Sequence, residues 1–429
     1  IPSIGARSAK PGLSIVDGVA DGFEAFALAA ASAELAPEGP IVFVARDGQR
    51  LPAIAEALAF AAPNLPVLEL PAWDCLPYDR VSPGSDAAAH RLDAMAAIIA
   101  LAKKPHRAVI LTTANALLQR MPEPAVIEAQ TFRAKPGNQI DMKALISRLE
   151  NSGFERTPTV RDVGEFAVRG GILDLFAPGS TEALRLDFFG DTLDSIRAFD
   201  VATQRTTGQR TSLSLQAMSE VALTPDTIRR FRRAYIEAFG APVRDDALYA
   251  SVSEGRRFAG MEHWLPFFYD RLVTLFGYLP DVPVIFDHLA REALFERHAL
   301  ILDHYEARKR QSDGALKEAV PYKPVPPARL YLSPEEVTAQ IAEHPALELT
   351  PFAAPEPACS TPRPPASGAA PPPSPRPAAP APHPSAAPRR PPPPPPAPAA
   401  AGCCMPARRP AAPSNRNAPT RRPTSSTRW

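Results

Sequence analysis

Between residues 164 and 190 apolar and polar side chains alternate with a period of two, the spacing of half-buried strands. In Leu184-Arg185-Leu186-Asp187-Phe188-Phe189 one face collects Leu184, Leu186 and Phe188, and the other collects Arg185, Asp187 and Phe189. Upstream, Phe166 and Val168 point inward by the same logic and Arg169 points out. Gly170-Gly171 then permits a bulge or tight turn, and residues 172–176 return as a second strand. A phenylalanine beside an arginine on an exposed sheet face has the make-up of a protein-binding hot spot. A small sheet with one stray exposed aromatic is the plainer alternative.

The rest of the chain reads as strands alternating with helices, the pattern of a parallel sheet. Strands are predicted at residues 13–16, 41–45, 67–70, 108–113 and 282–286. Helices are predicted near 23–35, 50–60, 87–103 and 289–310. Inside the smaller α+β unit the helix is 142–152, capped by Asp141 and closed by Gly153. The fold class is therefore α/β, a parallel-sheet domain interrupted by a small α+β domain. The expected divisions are 1–122, 123–212, 213–348 and a disordered tail, 349–429.

Composition changes the picture of that tail. Residues 351–429 hold 27 of the 54 prolines, ten arginines, no lysine and a single acid, Glu356, for a charge of +9. The other 350 residues carry 37 Lys+Arg against 45 Asp+Glu, a balance of −8. A segment nearly devoid of Leu, Ile and Val cannot bury a core, so the tail is expected to be disordered, with polyproline II character at residues 391–396. A proline-rich or basic arm has two possible partners, an SH3-type domain and nucleic acid. The abrupt change near residues 352–357, into Pro, Ala and Arg, fits better with GC-rich DNA read out of frame. The start at Ile1 without Met points to an incomplete amino end. Cys75 stands alone in the ordered part, no metal-ligand spacing is present, and no run is long and apolar enough to span a membrane. A cytoplasmic location follows by default.

Candidate chemistry is sparse. The strand–loop–helix at residues 16–25 sits where a nucleotide-binding loop belongs. Such a loop needs G-x-x-x-x-G-K-[ST], with backbone amides around the phosphates, Lys on the β/γ-phosphates and a hydroxyl on magnesium. Here Gly18 and Gly22 are one residue too close, and Phe23 and Glu24 stand where Lys and the hydroxyl are required. Glu24 would repel phosphate, so no nucleotide cofactor is expected. Asp287-His288 offers one acid after a strand, where a catalytic loop would present an Asp-Glu pair. His263 and the Asp303-His304 pair are isolated and better read as structural. Arg229-Arg230, Arg232-Arg233 and Arg256-Arg257 suit a DNA backbone or, equally, a solvated helix face. Neither catalytic nor metal-ligating residues are assigned.

Residues 70–83, LPAWDCLPYDRVSP, resemble the LPxWDxLPYDxxSP signature of the bacterial transcription-repair coupling factors (Mfd). The block GEFAVRGGILDLFAPG, followed by LRLDFF and IRAFDVATQRT, is similar to their UvrB-like interaction domain, and YKP, PP and LYLSP at residues 322–334 extend the likeness. The resemblance implies a degenerate RecA-like (UvrB-like) domain interrupted by a domain that recruits UvrA to stalled transcription complexes. It carries the UvrA-contacting residues onto Arg169, Arg185 and Phe189, the three that alternation already turns outward. Forked pairing of the arginines with partner carboxylates is expected. DNA contact is implied to be weak or indirect. RNA polymerase binding and ATP-driven translocation are implied for domains further along, so the competing reading is part of a DNA translocase without its motor. UvrB itself is disfavoured, since it needs an intact nucleotide loop and a tyrosine-rich DNA-clamping hairpin.

Overall fold

The computed structural model describes residues 11–242, 246–311 and 322–352; the proline-rich tail beyond Phe352 lies outside them. The larger domain is built on six parallel strands: β1 (Gly12–Val16), β2 (Pro40–Ala45), β3 (Val67–Leu70), β4 (Ala108–Thr113), and two late arrivals, Val284–Phe286 and Pro345–Leu349. Alternation along β2 explains how both faces are covered. Ile41, Phe43 and Ala45 pack under helices α1 (Glu24–Leu35) and α2 (Arg50–Ala61), with Leu28, Ala31, Leu51, Ile54 and Leu58. Val42 and Val44 face the opposite layer, which holds α3 (Ser85–Lys103) through Leu92, Met95 and Ile98. Each such buried Val, Leu, Ile, Phe or Met side chain contributes about 1.5–3 kcal/mol of transfer free energy.

The strand at Pro345–Leu349 was not expected from the sequence, and it changes the architecture. It inserts between β1 and Val284–Phe286, so that the sheet order along the chain is first, sixth, fifth, second, fourth, third. Its five residues, PALEL, begin with proline and carry a glutamate, too short and too polar to signal a buried strand alone. Glu348 is satisfied by Arg291, whose Nη1 donates to Oε2 at 3.2 Å.

The smaller unit follows β4. In chain order its strands are β5 (Phe132–Ala134), β6 (Glu155–Arg156), β7 (Glu165–Arg169), β8 (Ile172–Leu175), β9 (Ala183–Phe189), β10 (Thr192–Phe199), β11 (Thr206–Arg210) and β12 (Leu213–Leu215). Six of them, β6 to β11, form one sheet in sequential order. Helix α4 (Met142–Asn151), capped by the Asp141 carboxylate accepting from the Lys143 amide, covers one face with Leu145 and Leu149. Phe166, Leu173, Leu175, Leu184, Leu186 and Ile196 meet it from the sheet, as the alternation predicts. The edges of this unit lie later than the expected 123 and 212. Ile127 packs in the large core, whereas Leu213, Leu215 and Met218 pack with the small one and β12 pairs with β5.

Residues 70–83 fix the small unit to the large one. Arg91 of α3, fully buried, donates from Nε to Glu220 Oε1 at 2.8 Å and from Nη1 to the Pro71 carbonyl at 2.7 Å. Trp73 Nε1 donates to the same Glu220 oxygen at 2.7 Å. Glu220 lies where the chain leaves the small unit, next to the Met218 amide that donates to Ser152 of the α4 end. Gly179, at φ +66°, lies so close to Asp93 of α3 that a Cβ there would overlap the carboxylate. Burial pushes the Asp93 carboxyl up to about 6.

Candidate docking face and the degenerate nucleotide loop

Two hairpin tips meet on the sheet face that points away from α4. In the first, Arg169 pairs with Ile172 across Gly170-Gly171, a two-residue turn with Gly170 at φ +60°. In the second, Phe189 pairs with Thr192 across Gly190, also at φ +60°. The tips touch: the Phe188 amide donates to the Gly171 carbonyl at 2.8 Å, and a Cβ at Gly171 would sit 2.8 Å from the Phe188 oxygen. Glycine is required there by this close approach.

Cross-strand register puts Arg169, Asp174, Arg185, Asp187, Arg197 and Phe189 on one face. Phe189 is 86% exposed, whereas the inward Leu186 is fully buried. The irregularity between Asp187 and Phe188 falls on the β10 side, so alternation along β9 is kept. The ionic groups are not free, however. Arg185 makes a forked contact with Asp174, Nε to Oδ1 at 2.6 Å and Nη2 to Oδ2 at 2.9 Å, and Arg169 Nη2 reaches the same Oδ2 at 3.2 Å. The Arg185 guanidinium also lies over the buried Phe199 ring, 4.7 Å from its centre. Hydrogen bonding to Asp174 holds the guanidinium charged beyond its ordinary range. Next to it, Arg197 forks onto Asp187 at 2.8 and 2.6 Å, and Ser195 Oγ donates to Asp187 at 2.6 Å. Burial pushes the Asp187 carboxyl up, but these hydrogen bonds outweigh it and hold the group below its usual range.

One of the two forked edges of Arg185, Nε/Nη2, is thus used within the chain. The carboxylate that takes it, Asp174, lies on the outer face by cross-strand register and is 1% exposed because the arginines cover it. Arg169 keeps a side chain 53% exposed.

At the degenerate loop Gly18 and Gly22 have φ of +71° and +88°. Phe23 is exposed and Glu24 is buried. The Gly22 amide donates to Glu24 Oε2 at 2.7 Å, so a carboxylate of the chain accepts from a backbone amide that a phosphate would use in a working loop. Arg50, at the start of α2, donates from Nη2 to Glu24 Oε1 at 2.7 Å and pairs through Nε with Asp287 Oδ2 at 2.5 Å. Burial pushes the Asp287 carboxyl up and Arg50 opposes the shift. The sequence pointed to Glu24 and Asp287 separately; the arginine that joins them was missed, because nothing in its helix distinguishes it from a surface residue.

Among the remaining candidates, Arg229, Arg230 and Arg256 each face an acid, Asp226, Asp270 and Glu254, at the surface, and Arg257 donates to the carbonyls of Asn151 and Val221. His263 is buried against Trp73 and Tyr78, and burial pushes it down to about 4.

Residues 132–220 match the UvrB interaction domain family. The chain is 32% identical over 277 residues to the transcription-repair-coupling factor of Haemophilus influenzae, covering 64% of this chain and 23% of that protein. It is 30% identical to the Escherichia coli factor and 34% to that of Myxococcus xanthus, in each case over 72% of this chain and 26% of the relative. Over these spans the chain is similar to the transcription-repair-coupling factors. It spans about a quarter of the length of the curated family members it matches. Within the family match, the interaction domain carries the whole exposed face described above, from Arg169 to Arg197. No helix among the described residues is long and apolar enough to cross a membrane.

Proposed function

We propose that this chain is a non-catalytic recruitment module that docks UvrA through Arg169, Arg185 and Phe189, in the bacterial cytoplasm. The observation that carries the reading is Phe189, 86% exposed at a hairpin tip and on the same sheet face as Arg169 and Arg185. An aromatic side chain held out by a rigid turn loses little conformational entropy on burial, the property of a hot-spot anchor. Phe189 would enter an apolar pocket of UvrA, and Arg169 would meet a carboxylate. The matched interaction domain supports a partner of the nucleotide-excision-repair type.

The self-occupied loop supports the absence of ATP turnover in this chain: Glu24 lies on the Gly22 amide and Phe23 replaces the lysine. We assign the motor activity implied by the family to sequence outside it. Capture of UvrA by the immobilised chain, compared with the Arg169→Ala/Arg185→Ala/Phe189→Ala variant, tests the proposal. Wild type retains UvrA and the triple variant does not; equal retention would sink the assignment.

A further inference from the structure

The outer face of the small unit contains one buried acid whose position is unusual. Asp174 lies on the solvent side of β8 yet is 1% exposed, and its two carboxylate oxygens take three contacts from two arginines. Its pairing partners across the strands are Ala167 and Arg185, so it sits at the middle of the face. Below the Arg185 guanidinium lies Phe199, 1% exposed and packed with Val160, Ala167 and Ala183. Arg185 is therefore held on two sides, by a charged fork in its plane and by a ring against its flat face. Arginine has five N–H donors in a rigid fork. With Nε–H and one Nη2 N–H committed to Asp174, both Nη1 donors and the second Nη2 donor are left for anything that docks.

We propose that Asp174 is a positioning residue of the docking face, which presents Arg185 to the partner in a single orientation, with the end-on Nη1/Nη2 edge as the one it can offer. The role rests on the docking function proposed above. It specifies the partner's chemistry: opposite that edge of Arg185 stands an acceptor, a backbone carbonyl or a carboxylate. A partner carboxylate is also met by Arg169, whose single longer contact of 3.2 Å to Asp174 leaves it able to swing out. A guanidinium already frozen loses less entropy on association than a free one.

The test is a double-mutant cycle on the full chain, with UvrA affinity measured by titration calorimetry and the fold checked by circular dichroism. Asp174→Asn is expected to weaken binding about fivefold to tenfold, the factor that freezing one such side chain costs. In an Arg185→Ala background the same exchange is expected to change affinity less than twofold, because nothing remains to be positioned. Phe199→Leu, which keeps the apolar packing and removes the ring, is expected to weaken binding severalfold and to lose that effect in the same background. A loss from Asp174→Asn that persists at full size without Arg185 marks a purely structural acid and overturns the role. So does unchanged affinity in Asp174→Asn when Arg185→Ala alone weakens binding. If Arg185→Ala alone has no effect, the docking assignment of Arg185 fails, and the role of Asp174 with it.

Discussion

Arg50 Nε lies 2.5 Å from Asp287 Oδ2, joining the start of α2 to the end of the strand Val284–Phe286. The same guanidinium holds Glu24 at 2.7 Å, so one cation bridges two acids at the carboxyl ends of the sheet strands, the place where open α/β sheets bind ligands. The chain has put its own charges there.

Arg50→Ala should therefore destabilise the fold rather than open a nucleotide site. Asp287, 1% exposed, would be left buried without its cation, which costs about 3 kcal/mol. Urea denaturation should show the loss. An unchanged midpoint would mean that the bridge contributes nothing, and nucleotide-dependent stabilisation of the wild type would contradict self-occupation of the loop.

A larger loss is expected from Glu220→Ala. Arg91 is 0% exposed and would keep only the Pro71 carbonyl as partner, and Trp73 would lose its acceptor. Removing one member of a buried pair costs about 3–5 kcal/mol. Because Glu220 stands at the exit of the small unit, proteolysis at residues 216–224 should accelerate in the variant. A variant as resistant and as stable as wild type would show that residues 70–83 do not fix the unit.

His263 makes stability depend on pH. Its folded value, about 4, lies below the ordinary 6.5, so the unfolded chain binds the proton more readily between these values. Stability from this group is fully present above pH 6.5 and is lost as pH falls toward 4, by about 3 kcal/mol in all. His263→Phe should flatten the denaturation midpoint across that window. A variant with the same acid sensitivity as wild type would place its source elsewhere.

Much of this architecture is written in local patterns. The β2 and β4 runs, the Asp141 cap and the alternation through Leu186 and Phe189 depend on neighbours within a few residues, and the structure follows them. What stayed hidden depends on distance along the chain. Pro345–Leu349 becomes a strand only because β1 and Val284–Phe286 leave a gap of one strand between them. Arg50 looks like any helix arginine until Asp287 arrives 237 residues later. Asp174 was not singled out, because its burial is produced by arginines on two other strands. Phe189 was legible because nothing covers it.

Calorimetric titration of UvrA with the wild-type chain and with Phe189→Ala measures the central claim most directly. Phe189 is 86% exposed and outside the core, so its truncation leaves the melting temperature unchanged. Binding is expected to weaken by about 1–4 kcal/mol, the range of hot-spot truncation. Equal affinity in the two proteins, with both folded, would contradict the docking face.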